Sequence, residues 1–171
     1  MSEELNIEPT EENLNDGESQ NEQVEELVVD NKYLAIYNWV KTYEPLEDGL
    51  YFNVILDEPD TASVNSVSNG VEINTFIDGT KEVEYLFAVS IQREFDPAGT
   101  SSVNVTKENE FDDFAKWVEE QSEEQNFPDF GDKITIEKIE PTQTAPMVTV
   151  DTNNQVAKYL GQFKITYLEE R

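Results

Sequence analysis

The chain has 171 residues, 37% of them hydrophobic and 11% aromatic, which suits one domain with a substantial core. It contains no cysteine and no histidine, which excludes disulfides, thiolate metal sites and the commonest general base. Eleven Lys and Arg stand against 38 Asp and Glu, and the net charge of −27 disfavours binding to phosphate backbones or anionic membranes.

Residues 1–30 differ in composition from the rest, with eleven acidic residues and no basic or aromatic one. Such a segment buries too little apolar surface to offset its ordering entropy, which predicts an acidic flexible arm over 1–30 and a domain over 31–171. Within the arm, the apolar residues of 22–30 have helical spacing and could dock on a partner. The first residues lack the basic and apolar regions of a signal peptide, so we expect a soluble, cytoplasmically made protein.

The domain is predicted to open with a helix and a strand. Leu34, Tyr37 and Val40 recur at helical spacing, which predicts a helix over 32–43 that Pro45 and Gly49 stop. The run LYFNVILD predicts a strand over 50–57, ended by a turn at 58–60.

Three further strands are predicted next, and the third is the longest in the chain. SVNSV indicates a short strand over 63–67, VEINTFID one over 71–78, and Asp78-Gly79 is a hairpin signal that leads into 80–97. In 80–97 the even positions are polar, with Leu86 and Ala88 as exceptions, and most odd positions are apolar: Val83, Tyr85, Phe87, Val89, Ile91 and Phe95. Period two predicts a strand with one buried face.

The second helix carries the clearest pattern. Phe111, Phe114, Ala115 and Val118 form an apolar stripe that predicts a helix over 108–125. Pro128 and Gly131 are expected to stop this helix, with Phe127 and Phe130 against the core.

Three strands are predicted to close the chain, over 133–141, 146–151 and 155–170. In the last, Tyr159, Phe163, Ile165 and Tyr167 share one face, and Gly161 predicts a bend or bulge. The order of elements predicts an α+β fold: a largely antiparallel or mixed β-sheet with two main helices packed on one face.

Carboxylates are the remaining candidates for chemistry. Asp57, Glu58 and Asp60 could supply oxygen ligands to Ca²⁺ or Mg²⁺, although a polar turn is the favoured interpretation. Asp112 and Asp113 are expected in the first turn of the second helix, where they complement the helix dipole. We therefore predict no catalytic residue, no cofactor and no metal site, and a protein that is not an enzyme.

Three motifs together resemble the small tail-completion or minor capsid proteins of long-tailed phages and prophages. These are a strand that ends near Arg93-Glu94, a helix of the form F-x-x-F-x-x-W-[VL]-E-E-Q and a final strand of the form Y-x-x-x-F-x-[IL]-x-Y. The matching positions of the helix and the final strand are Phe111, Phe114, Trp117, Val118, Glu119, Glu120, Gln121, Tyr159, Phe163, Ile165 and Tyr167. The resemblance covers about 33–168, and the arm has no counterpart in it.

This resemblance implies a structural virion protein of the tail-terminator kind. Such subunits form a ring, commonly of six, that caps the tail tube and joins it to the head connector at the head–tail junction, after assembly in the host bacterial cytoplasm. The implied partners are further copies, the tail-tube protein and connector or stopper proteins. DNA passes through the lumen without specific binding, which an acidic surface favours. Long strands could continue a sheet between subunits.

The candidate interface residues are Arg93, Glu94, Trp117, Phe127, Phe130 and Tyr159. Trp117 has two interpretations, the edge of the core or an interface anchor. The alternatives for function are another phage structural part (a head–tail stopper, a capsid decoration protein or a tail-tube protein) and a non-phage acidic binding module.

Overall fold

The computed structural model describes residues 31–54, 56, 58–98, 102–143 and 147–171, and gives no account of the side chains of 31, 102–108 and 147. The predicted acidic arm, including the segment 22–30, lies outside the described residues. Within them, the order of helices and strands is the predicted one.

Helix α1 (Asn31–Val40) is three residues shorter at its end than predicted. A 3₁₀ helix (Glu44–Gly49) follows, so Pro45 and Gly49 belong to this second helix and do not stop the first. The buried residues of α1 are Ile36, Trp39 and Val40, whereas Leu34 is 51% exposed. Seven of the ten residues of α1 are apolar or aromatic, so the pattern alone could not select which stripe faces the sheet.

Strands β1 (Leu50–Phe52) and β2 (Thr61–Ser66) run parallel to each other. Strand β1 is shorter than predicted because Asn53 has a φ of 52°, a left-handed conformation that interrupts the strand. The Asn53 side chain instead accepts a hydrogen bond from the Ser66 backbone N–H at 3.1 Å.

Strands β3 (Val71–Thr75) and β4 (Lys81–Glu94) form the predicted antiparallel hairpin. Helix α2 (Ser102–Glu123) begins six residues before the predicted start. It ends before Gln125, whose φ of 59° is left-handed, so the helix stops earlier than Pro128 and Gly131 would require.

Strands β5 (Ile134–Pro141), β6 (Met147–Asp151) and β7 (Val156–Glu169) lie within a residue or so of their predicted bounds. The seven strands form one mixed sheet in the order β1-β2-β4-β7-β5, with β3 also paired to β4 and β6 also paired to β7. Strands β4 and β7 pair along all fourteen residues of each, and we call this pairing the central ladder. The α+β prediction with a mixed sheet is confirmed.

Both helices pack on the same face of the central ladder. From α1, the Trp39 ring lies 6.4 Å from Phe87; from α2, the Phe114 ring lies 5.5 Å from Phe163. The predicted stripes of β4, α2 and β7 are buried there, which confirms the predicted core faces.

Gly161 makes neither a bend nor a bulge, because the register of the central ladder is unbroken through it. The reason for glycine is a close approach: a Cβ atom at Gly161 would lie 2.3 Å from Cζ of the Phe111 ring. Bulges occur instead in β3, between Glu72 and Asn74, and in β5, between Ile136 and Lys138.

Candidate interface site

Arg93 is 7% exposed at the end of β4 and joins that strand to α2. Its Nε donates to Glu110 Oε2 at 2.7 Å and its Nη1 donates to the Gln92 carbonyl at 3.0 Å. Asp60 lies 3.9 Å from the same Nε. A buried guanidinium requires such partners, so Arg93 stabilises the contact between β4 and α2, while the neighbouring Glu94 is exposed.

Trp117 belongs to an aromatic cluster where the two helices meet. Its ring centroid lies 4.9 Å from that of Trp39, 5.3 Å from Tyr43 and 5.7 Å from Phe114. Burial, followed by the nearby Asp113 carboxylate, raises the pKa of the Tyr43 hydroxyl. Trp117 is half-buried and therefore occupies the edge of the core, with part of its surface open to a partner.

Phe127 lines a groove of about 380 Å³ between α1 and the segment that follows α2. The Trp39 Nε1 donates to the Asn126 carbonyl at 2.8 Å and fixes this segment to α1. Leu34 is the exposed apolar side chain of the groove. Phe127 packs against the core as predicted and remains partly accessible.

Phe130 and Tyr159 are buried within the single chain, at 7% and 4% exposure. The Phe130 ring meets Tyr85 and Tyr167 edge-on, at 6.2 and 5.7 Å between centroids. The six predicted interface residues thus lie in three places: Trp117 and Phe127 beside Trp39, Phe130 against the core, and the rest at one end of the central ladder. Their participation in an interface stays a prediction.

An exposed apolar group on the β3 hairpin was not predicted from the sequence. Val71 is 57% exposed, Ile73 47% and Phe76 44%, and Ile77 at the hairpin tip is fully exposed. The available signal was that 71–78 is rich in apolar residues without clean alternation. A second such group lies on β6, where Val148 is 48% and Val150 40% exposed.

The single acid of each of these two strands is engaged within the chain. Glu72 of β3 pairs with Lys81 Nζ at 2.7 Å, and hydrogen bonds from Lys81 and Thr75 lower its pKa. Asp151 of β6 accepts the backbone N–H groups of Asn153 at 2.9 Å and Asn154 at 3.2 Å. The pKa of Asp151 is lowered, chiefly by the Asn154 N–H.

An ion-pair network crosses the face of the sheet opposite the helices. Lys164 of β7 lies 3.0 Å from Glu84 on β4 and 3.2 Å from Glu140 on β5, and Glu140 also binds Lys138. The hydrogen bond from Lys138 is the main cause that lowers the pKa of Glu140. The hydrogen bonds to Glu84 and Glu140 raise that of Lys164. The network joins three strands by cross-strand charge pairs.

The carboxylates considered for chemistry lie in two different elements, a turn and a helix. Glu58 and Asp60 are in the predicted turn, and Asp57 lies outside the described residues. Asp112 and Asp113 fall in the middle of α2 and not in its first turn, because the helix begins at Ser102. Across the described ranges, no three or more acidic side chains are arranged to hold a metal ion.

Comparison with known proteins finds no protein-family model and no curated sequence that match this chain. Of the helices in the described part of the chain, none combines the length and the apolarity needed to cross a bilayer. The candidate site is therefore defined by its geometry: charge-poor apolar strands at the margins of a sheet, on a strongly acidic chain.

Proposed function

We propose that this protein is a structural subunit of a phage tail, which assembles with further copies into a ring, commonly of six, that ends the tail tube and joins it to the head connector. The observation that carries the proposal is the placement of the three motifs that resemble tail-completion proteins. They fall on β4, α2 and β7, and these three elements form the centre of the fold.

The contacts among these motifs support treating them as one structural feature. β4 and β7 are neighbours along their whole length. From the helix motif, the Phe111 and Phe114 rings lie 6.4 and 5.5 Å from Phe163 of the last motif. Arg93 of the first motif bonds to Glu110, one residue before the helix motif begins. Residues that resemble the family thus pack on one another.

The charge of the chain supports a role in a ring through which DNA passes without being bound. A protein binds the DNA backbone chiefly by replacing condensed counterions with Lys and Arg. With eleven such residues against 38 acids, the chain favours repulsion of phosphates. Several of its few basic side chains, including Arg93, Lys81 and Lys164, already pair with carboxylates.

Gold-labelled antibody against the protein, viewed on intact phage particles by electron microscopy, tests the proposal. Label confined to the junction of head and tail is the expected result. Label along the tail would indicate a tail-tube protein, and label over the head a capsid decoration protein, so either would contradict the terminator assignment. Particles without label would favour an acidic binding module outside the virion. Particles treated with pre-immune serum provide the control.

A further inference from the structure

The two exposed apolar strands lie at margins of the sheet. Among the described residues, β3 pairs with β4 alone and β6 pairs with β7 alone. The outer side of each strand therefore presents backbone N–H and C=O groups that a further strand can pair with. Exposed valine and isoleucine side chains, at Val71, Ile73, Val148 and Val150, accompany these groups.

The other margins of the sheet have the features that discourage pairing. β5 carries Glu137, Lys138 and Glu140, and a bulge at Glu137 interrupts its register. β1 has only three residues, and the acids Glu47 and Asp48 precede it by two to three residues. Charges, bulges and short length are the usual means of protecting a strand edge. β6 has no bulge and carries a single charged residue, Asp151, at its end, and β3 has a bulge but keeps its apolar side chains exposed.

A second copy of this chain is the occupant that fits, because each copy carries both margins, and charge limits where two copies can meet. Two copies with a net charge of −27 each repel one another, and they repel least where no free carboxylate faces the partner. On β3 and β6 the single acids, Glu72 and Asp151, are already engaged within the chain. A basic partner would instead bind to the acidic surfaces and would gain nothing at these two margins.

The two strands lie at diagonally opposite corners of the central ladder. β3 lies beside the first residues of β4, 81–84, and β6 lies beside the first residues of β7, 156–160. Because β4 and β7 are antiparallel, these are opposite ends of the ladder as well as opposite sides. Each copy thus offers one strand of each kind, facing away from each other.

We infer that the β3 margin of one copy pairs with the β6 margin of the next, so that the sheet continues from chain to chain in a head-to-tail contact. A contact between two different surfaces repeats around a ring when the rotation closes. The inference rests on the proposed function in that it names the contact that such a ring would use. Strand addition of this kind combines main-chain hydrogen bonds with apolar side-chain contacts.

The test uses the full chain and two variants, Ile73→Lys on β3 and Val148→Lys on β6. Val54→Lys is the matched control, because Val54 is comparably exposed but lies outside β3 and β6. Mass is measured by light scattering coupled to size-exclusion chromatography, and far-ultraviolet circular dichroism confirms that each variant is folded. We expect the unchanged chain and Val54→Lys to form oligomers, and each strand variant alone to be monomeric.

Mixing the two strand variants in equal amounts gives the decisive measurement. Each retains the margin that the other has lost, so the mixture is expected to form a dimer of one chain of each variant and nothing larger. A mixture that stays monomeric, or an Ile73→Lys variant that dimerises by itself, would overturn the inference. So would an unchanged chain that stays monomeric at about 100 μM, well above the micromolar range of modest affinities.

The two proposals fail in different ways. If both lysine variants still formed rings, the β3–β6 contact would be wrong and the tail-terminator function would stand. If antibody labelled particles away from the head–tail junction, the function would be wrong, whereas the recovery of a dimer on mixing would still support the contact.

Discussion

The two faces of the central ladder differ in the kind of side chain they carry, although the same two strands supply both. The face toward the helices is aromatic and aliphatic, with Phe87 stacked on Phe163 at 5.3 Å. The opposite face carries the Lys164 ion-pair network and, near the end of β4, the buried polar side chains of Ser90 and Gln92.

The two faces are expected to contribute unequally to the stability of the fold. Burial of apolar area contributes about 25 cal/mol per Å², whereas surface ion pairs contribute about 0–1 kcal/mol each. We therefore expect the helix face to supply most of the free energy of folding. The ion pairs of the opposite face are expected to favour the correct strand register. On that opposite face, Gln92 donates to Ser90 Oγ at 3.3 Å and accepts from Thr61 at 3.2 Å, so its burial leaves no described polar side-chain atom unpaired.

The largest expected effect comes from Phe163→Ala on the helix face. Phe163 is 1% exposed and lies among three phenylalanine rings, so truncation leaves a cavity. We expect the free energy of unfolding to fall by about 3–5 kcal/mol, as measured by urea denaturation. The control is Gln162→Ala, the exposed neighbour on the other face, expected to change stability by less than about 0.5 kcal/mol. Equal losses of stability in both variants would show that the two faces do not differ in their contribution to stability.

A smaller loss is expected from Gly161→Ala. The added Cβ would lie 2.3 Å from Phe111 Cζ, so the ring must move within a filled core. We expect a destabilisation of about 1–3 kcal/mol in the same measurement. Phe111→Leu removes the clashing atom, so the double variant is expected to lose at least about 0.5 kcal/mol less than the sum of the two single losses. Strict additivity would show that the close approach is not why glycine occupies this position.

The smallest effect is expected on the opposite face, from Glu140→Gln. Loss of the ion pairs with Lys138 and Lys164 is expected to lower the free energy of unfolding by about 0.5–1 kcal/mol at pH 7. The pKa of Glu140 is lowered in the folded chain, so its contribution is present above the ordinary carboxyl pKa and disappears as pH falls through the lowered value.

The difference between the unchanged chain and Glu140→Gln should therefore shrink as pH falls below the ordinary carboxyl pKa. Urea denaturation at several pH values measures it. Glu137→Gln is the control, since it removes a charge from the same strand without touching the Lys164 ion pairs. A difference that did not change as pH fell would mean that it does not arise from the charge of Glu140.

Much of the fold was predictable because strand and helix periodicity is a local property that records burial. The alternation in 80–97 identified β4 and its core face, and the spacing of Phe111, Phe114 and Val118 identified α2. Where the pattern was ambiguous, prediction was weaker. In α1 seven of ten residues are apolar or aromatic, and the sheet buries the stripe of Ile36 and Val40 in preference to Leu34.

The candidate site was less predictable than the fold. Of the six interface residues inferred from the sequence, Arg93, Phe130 and Tyr159 are buried inside the chain. The exposed side chains of β3 and β6 were not among them. An apolar residue in a short strand is interpreted as a core residue until the neighbours of that strand are known. Exposure at a sheet margin depends on which strands pair with which, and that is a property of the whole chain.

The sequence by itself determined the order of helices and strands, the apolar faces of β4, α2 and β7 and the strongly acidic surface, because each follows from residue type and local spacing. The tertiary structure was needed to show that Gly161 makes room for Phe111, that Arg93 is buried against Glu110, and that β3 and β6, at opposite corners, have one strand partner each among the described residues. Each of these depends on contact between residues distant in the chain, which periodicity does not encode.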